Sequence, residues 1–177
     1  GCCHEVVLSD NDPRVLRLLR QNVAGFELRR SRLQRARSTG CRCCRTSCKT
    51  LDASSVEEAK RFVEEGGGRF DVVIASDLVY EHRMLPLVLD ALLVLLRSSG
   101  EGESVALLAL ELRPCGADLR RALPEEARAR GLVAEDATDE VLELLPPPPP
   151  PGLAVPPLES RQQRLYVVRR AVDCGRP

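Results

Sequence analysis

"FDVVIASDLVYEHRMLPLVLDALLVLL", Phe70 to Leu96, decides how this chain is read. Phe70 to Ala75 is apolar apart from Asp71 and rich in β-branched residues. That is the composition of a central parallel strand covered on both faces. Met84 to Arg97 is a strongly apolar helix by the same reading. Between the two lie Ser76, Asp77 and Tyr80, a carboxylate and a phenol at the exit of a buried strand. In open α/β sheets, ligands bind beyond the carboxyl ends of the strands, so polar residues at that place ask for a chemical reason.

Working outward, the flanks alternate between strand and helix patterns. Glu5 to Ser9 reads as a short strand. Asp12 suits a helix N-cap, Pro13 the first helical position, and Gly25 the end of a helix over Pro13 to Val23. A weak strand pattern covers Cys44 to Leu51. Ser55-Val56-Glu57-Glu58 matches a capping box, and Gly66-Gly67-Gly68 stops the helix it begins. Glu103 to Leu112 is a further strand. Ala117 to Arg130 is helical in composition with an expected break at Pro124. Leu132 to Leu145 and Arg164 to Arg170 suggest the last two strands, separated by the six prolines Pro146 to Pro151, an extended loop. This alternation predicts one α/β domain over residues 1–177 with an open, mostly parallel sheet.

Composition narrows the function classes. The 177 residues balance 26 basic against 26 acidic side chains, so global charge gives no argument for nucleic acid or a membrane surface. No apolar run approaches the roughly 20 residues of a membrane span. The eight cysteines accompany no secretory signal, so reduced thiols are expected, in the cytoplasm and, as a second compartment, the nucleus. Residues 27–50 form a basic, Cys-rich segment with no acid after Glu27 until Asp52. "CRCCRTSC", Cys41 to Cys48, holds four thiols that could in principle take zinc. Cys43 and Cys44 are adjacent, however, and the spacing is not two Cys-x-x-Cys hooks. No metal is expected there, and the segment reads as a solvated loop. His4 and His82 are isolated and expected on the surface.

Three strand ends carry acids: Asp10, Asp52 and Asp77. A carboxylate after the first strand is suited to ribose hydroxyls, because it accepts two hydrogen bonds in a fork. One after the next strand is placed to accept from an exocyclic adenine amine. Asp10 is equally suited to capping the helix that follows it, and Asp77 to capping the next one.

The series "VVLSDNDPRVLRLLRQNV" (Val6 to Val23), "KTLDA" (Lys49 to Ala53), "FDVVIASDLVY" (Phe70 to Tyr80), "VALLALELRP" (Val105 to Pro114) and "RQQRLYVVRR" (Arg161 to Arg170) resembles the seven-strand protein-lysine methyltransferases grouped as methyltransferase family 16. Their hallmark Asp-x-x-Tyr is matched by Asp77-Leu78-Val79-Tyr80. The resemblance covers the chain from the family's second strand onward. It implies a Rossmann-like class I methyltransferase sheet with helices on both faces, lacking the N-terminal strand and the Gly-rich loop. It implies S-adenosyl-L-methionine as cofactor and a lysine-bearing protein as substrate, with neither nucleic acid nor membrane as partner, and a monomer. Asp10 would hold the cofactor's ribose, with Asp52, Ala53 and Ser76 beside the cofactor. Asp77 and Tyr80 would be catalytic, lining the entrance for the lysine. Ala53 stands where many members carry Trp, and Ser76 where they usually carry Ala. No Gly-rich turn precedes Val6, so the chain is expected to be a piece of a longer protein and, alone, to bind cofactor poorly. The alternatives are a non-catalytic interaction protein on a degenerate methyltransferase fold, or a methyltransferase with a nucleic-acid or small-molecule acceptor.

Overall fold

The computed structural model describes residues 4–36, 45–66, 68–98, 103–111, 119–144 and 163–171. Cys41, Cys43, Cys44 and the proline run Pro146 to Pro151 lie outside them. The chain divides into two compact units, Gly1–Asp52 and Ala53–Pro177.

The first unit is a parallel two-stranded sheet and one helix. β1 (Glu5–Asp10) pairs with β2 (Arg45–Thr50) in register from Glu5 opposite Arg45 to Asp10 opposite Thr50. Both strands fall where the sequence puts them. The helix α1 (Pro13–Ala36) starts where expected, with the Arg14 amide donating to Asp12 Oδ1 at 2.7 Å. It does not stop at Gly25 but runs on to Ala36. A glycine inside a helix costs about 1 kcal/mol relative to alanine, a penalty but not a stop. The arginines and leucines after Gly25, with Glu27 and Gln34, are good helix formers that carry the helix past it. Part of the segment expected to be a loop is therefore helical. Leu16 is the buried anchor of α1, and Leu51 is buried at the end of β2.

The second unit is a mixed four-stranded sheet with helices. Its strands are β3 (Val72–Ser76), β4 (Val105–Glu111), β5 (Leu132–Asp136) and β6 (Gln163–Arg170), in the order β3-β4-β6-β5. β3 and β4 are parallel, and β6 runs antiparallel to both β4 and β5. Consequently β3, β4 and β5 all point their carboxyl ends the same way. The helices are α2 (Val56–Gly66), α3 (Met84–Leu95), α4 (Leu119–Ala129) and α5 (Thr138–Leu144). The capping box holds in part: the Glu58 amide donates to Ser55 Oγ at 3.3 Å. Gly68 follows with a φ of 121°, a conformation open to glycine, and its amide reaches the Val63 carbonyl.

One face of this sheet is dry. Ala75, Ala106, Leu108, Leu110, Tyr166 and Val168 join Leu85, Val88, Leu89 and Leu92 of α3 and Leu123 and Ala127 of α4 in one core. Burying a leucine side chain is worth roughly 1.5–3 kcal/mol, so this layer carries most of the unit's stability. The other face is partly open: Val72 is 52 % and Ile74 77 % exposed.

Three expectations need correcting. β3 is not a central strand of its sheet but an edge strand. Its apolar β-branched run signals extended chain and does not report how many neighbours the strand has. Leu132 to Leu145 is not one strand. It is β5 followed by α5, because Asp136 caps the turn by accepting the Thr138 amide at 3.1 Å. Pro124 does not break its helix; α4 runs through it. A proline there removes one bond to the carbonyl four residues earlier, while burial of Leu123 and Ala127 on either side holds the turn.

Candidate functional site

The sequence places six residues at strand ends, and the two units divide them. Asp10 and Asp52 belong to the first, and Ala53, Ser76, Asp77 and Tyr80 to the second.

In the first unit, parallel pairing puts the carboxyl ends of β1 and β2 side by side. Asp10 ends β1 opposite Thr50, its carbonyl accepts the Leu51 amide at 3.2 Å, and Asp52 follows. The Asp10 side chain does not cap α1. Its Oδ1 accepts the Asp12 amide at 2.8 Å, a turn that closes the strand end. Its Oδ2 accepts no bond among the described residues, and the side chain is half-buried. Capping falls to Asp12, whose carboxyl also meets the Arg14 guanidinium at 2.7 Å. Hydrogen bonds from that guanidinium hold the Asp12 pKa down at about 2.

In the second unit the Asp-x-x-Tyr loop is fastened at both ends. The Asp77 amide donates to the Ala109 carbonyl of β4 at 2.9 Å, extending the β3–β4 ladder one step beyond β3. There the chain turns, and Asp77 sits at a φ of 53°. This left-handed conformation costs a non-glycine residue about 1 kcal/mol, and Asp is one of the residues that tolerate it. Val79, two residues on, is 7 % exposed and plugs the core. Tyr80, the next residue, is 57 % exposed. The loop thus alternates an inward anchor with an outward phenol. Ser76 Oγ donates to Asp77 Oδ2 at 3.3 Å, which steadies the carboxylate.

Asp77 is not the cap of the following helix. α3 begins at Met84, with Arg83 as its N-cap residue and no side-chain cap bond. Backbone bonds from the Met84 amide to the Glu81 carbonyl and from the Leu85 amide to the His82 carbonyl wind the chain into it. Glu81 pairs with Arg83 at 2.6 Å, and His82 is exposed, as is His4. The strain at Asp77 therefore does not serve helix capping.

A fourth strand-end acid, Asp136, has no signal in a sequence whose pattern joins β5 to α5. It lies at the same end of the sheet as Asp77. Its carboxylate already accepts from the Thr138 amide and hydroxyl, and stands 3.8 Å from Arg120 and 3.9 Å from Arg164. Beside it, burial raises the pKa of the Tyr166 phenol, and the Asp136 charge adds to the shift. This cluster joins β5, β6 and α4, and its acid is fully engaged. Val79 was also missed as a functional residue. Its only sequence signal is the apolar pair Leu78-Val79 inside the turn.

Among the described residues no group of His, Cys, Asp and Glu is arranged to hold a metal, and no helix is long and apolar enough to cross a membrane. Cys48, in β2, is a free thiol. No family model matches the chain, and no curated protein sequence matches it.

Proposed function

We propose that this chain is an S-adenosylmethionine-dependent methyltransferase, or part of one, directed at a lysine side chain of a protein. One observation carries the reading. Asp77 is held in a left-handed conformation at the carboxyl end of a parallel strand, inside Asp-x-x-Tyr, with Val79 locking the loop and Tyr80 left outside. Left-handed non-glycine residues cluster at functional sites, and the one at Asp77 does not cap the following helix.

The residues present fit the cofactor in one respect that can be inspected. Asp10 keeps Oδ2 unengaged among the described residues, free to accept from a ribose hydroxyl. Asp52, Ala53 and Ser76 would line the rest. The cofactor supplies a sulfonium methyl group, and transfer to an amine is an in-line displacement. The protein's part is to position a neutral amine. A free lysine has a pKa of about 10.4, so it arrives charged and must lose a proton. Asp77 would attract and orient the ammonium, and the exposed ring of Tyr80 would face the incoming cation. Loss of that proton to water would precede the transfer, in which the new N–C bond forms as the methyl–sulfur bond breaks and a neutral thioether leaves.

The open outer face of β3, with Ile74 77 % exposed, favours a second reading, a non-catalytic interaction protein on a degenerate methyltransferase fold. Binding of radiolabelled cofactor to the protein expressed from its complete native transcript separates the two. The enzyme reading expects saturable binding lost in Asp10→Asn, whereas the scaffold reading expects none.

A further inference from the structure

In the cluster around Asp136 the acid is engaged, but its two arginines are held loosely. Asp136 Oδ1 accepts from the Thr138 amide and hydroxyl. Its Oδ2 stands 3.8 Å from Arg120 and 3.9 Å from Arg164, both longer than a hydrogen bond. Arg120 also meets the Tyr166 phenol. The Nε of Arg164 is buried and has no hydrogen-bond partner among the described residues. A buried donor left unpaired is costly, so its presence asks for a reason. Two guanidiniums beside one carboxylate also leave one positive charge unbalanced. The Arg120 side chain is 53 % exposed and that of Arg164 28 %, so a ligand can reach both.

The register of the sheet relates this pair to Asp77. Ser76 is paired with Ala109, so Asp77, the next residue, is level with Leu110. Leu110 is in turn paired with Arg164. Adjacent strands lie about 4.8 Å apart, which puts the Arg164 backbone two strands, roughly 10 Å, from that of Asp77. Asp136, on the next strand, is roughly 14 Å away. An extended chain covers such distances in about three or four residues.

A protein segment lying across the strand ends with its lysine at Asp77 would carry a later or earlier side chain to Arg120 and Arg164. One unbalanced positive charge suits a single carboxylate, which takes guanidinium donors in a fork. A phosphate would bring close to two negative charges against the Asp136 carboxylate. A basic side chain would meet like charge. We propose that Arg120 and Arg164 are specificity-determining residues that read an acidic side chain about three or four residues from the target lysine. The proposal rests on the methyltransferase reading for the identity of the lysine, and the acidic subsite binds whether or not a methyl group is transferred.

The test uses the protein expressed from its complete native transcript and fluorescein-labelled peptides with one lysine in a Gly-Ser background. One Glu is moved through each position up to about six residues to either side, with Gln as its neutral counterpart. Binding is read by anisotropy, and methyl transfer with S-adenosylmethionine labelled on its methyl group. The expected result is about fivefold or more tighter binding for Glu than for Gln at about three or four residues on one side, seen in turnover as a lower KM at equal kcat. Arg120→Gln and Arg164→Gln should each erase that preference, and Arg164→Lys should restore part of it. A purely structural role would weaken Glu and Gln peptides alike. Melting transitions of the variants report folding, and Arg120, the more exposed of the two, gives the variant least coupled to it. Absence of peptide binding, equal binding of Glu and Gln peptides, a preference retained in both Gln variants, or tighter binding of phosphoserine than of Glu overturns the proposal. Methyl-lysine formed without a Glu preference sinks the subsite and leaves the enzyme reading standing. A Glu preference in binding without methyl transfer to any peptide does the reverse.

Discussion

The two units differ in how their structure is held. The second has a single contiguous core, with Leu85, Leu89, Leu123 and Val168 all fully buried. In the first, the buried apolar side chains among the described residues are Leu16 and Leu51. Yet the first unit holds Asp10 and Asp52 at adjoining strand ends, and the second holds Asp77 and Tyr80. The contrast teaches that the strand-end carboxylates of the two units stand on scaffolds of very different firmness. A small unit buries too little to be strongly stable by itself, so a ligand held there contributes order as well as occupying a site.

The strongest way to break this comparison is to carve the core. Leu89→Ala should cost about 3 kcal/mol, within the usual 2–5 for a buried leucine, and lower the denaturant midpoint of the main transition. Leu16→Ala should instead leave that transition in place and speed amide exchange along α1. Equal shifts of the main transition in both variants would erase the distinction between the units.

A smaller effect sharpens how the second unit is tied together. Arg130, just beyond α4, donates to Asp90 of α3 at 2.7 Å and also pairs with Glu126. Arg130→Met should cost about 1–2 kcal/mol, measured by urea titration, because two half-buried carboxylates lose their partner. Next comes a substitution expected to stabilise. Asp77→Gly relieves the left-handed backbone and should gain up to about 1 kcal/mol, while methyl transfer falls at least about tenfold. Loss of both stability and activity would mean that Asp77 serves the fold.

The smallest effect is in acid. The Asp12 pKa is lowered from 3.8 to about 2 in the folded chain. Such a group contributes stability that is present above its unfolded pKa and is lost as pH falls through its folded one. Amide exchange at the start of α1 should therefore show weaker protection as pH falls from 4 toward 2 (corrected for intrinsic exchange rates), and Asp12→Asn should flatten that dependence. Asp12 is partly exposed and its partner Arg14 exposed, so salt should reduce the effect.

Local chemistry explains which of these features could be read from the chain. Asp12-Pro13 announced the start of α1, and Ser55 with Glu58 the start of α2, because caps are written in a few adjacent residues. The apolar run from Met84 announced α3. Gly25 and Pro124 misled, since each weakens a helix by an amount that neighbouring residues offset. The edge position of β3 was invisible, because strand neighbours are settled by contacts far along the chain. The Asp-x-x-Tyr string was legible at once, but the left-handed turn at Asp77 and the plug of Val79 depend on β4 and the core.

The central claim, that Asp77 directs methyl transfer to lysine, is tested most directly on the protein expressed from its complete native transcript. Wild type and Asp77→Asn would be incubated with S-adenosylmethionine labelled on its methyl group and a protein extract, and cofactor binding and labelled lysine measured together. The account predicts methyl-lysine with the wild type, and a loss of at least about tenfold in Asp77→Asn with cofactor binding retained. Absence of labelled lysine with the wild type, or equal labelling by both proteins, would contradict it.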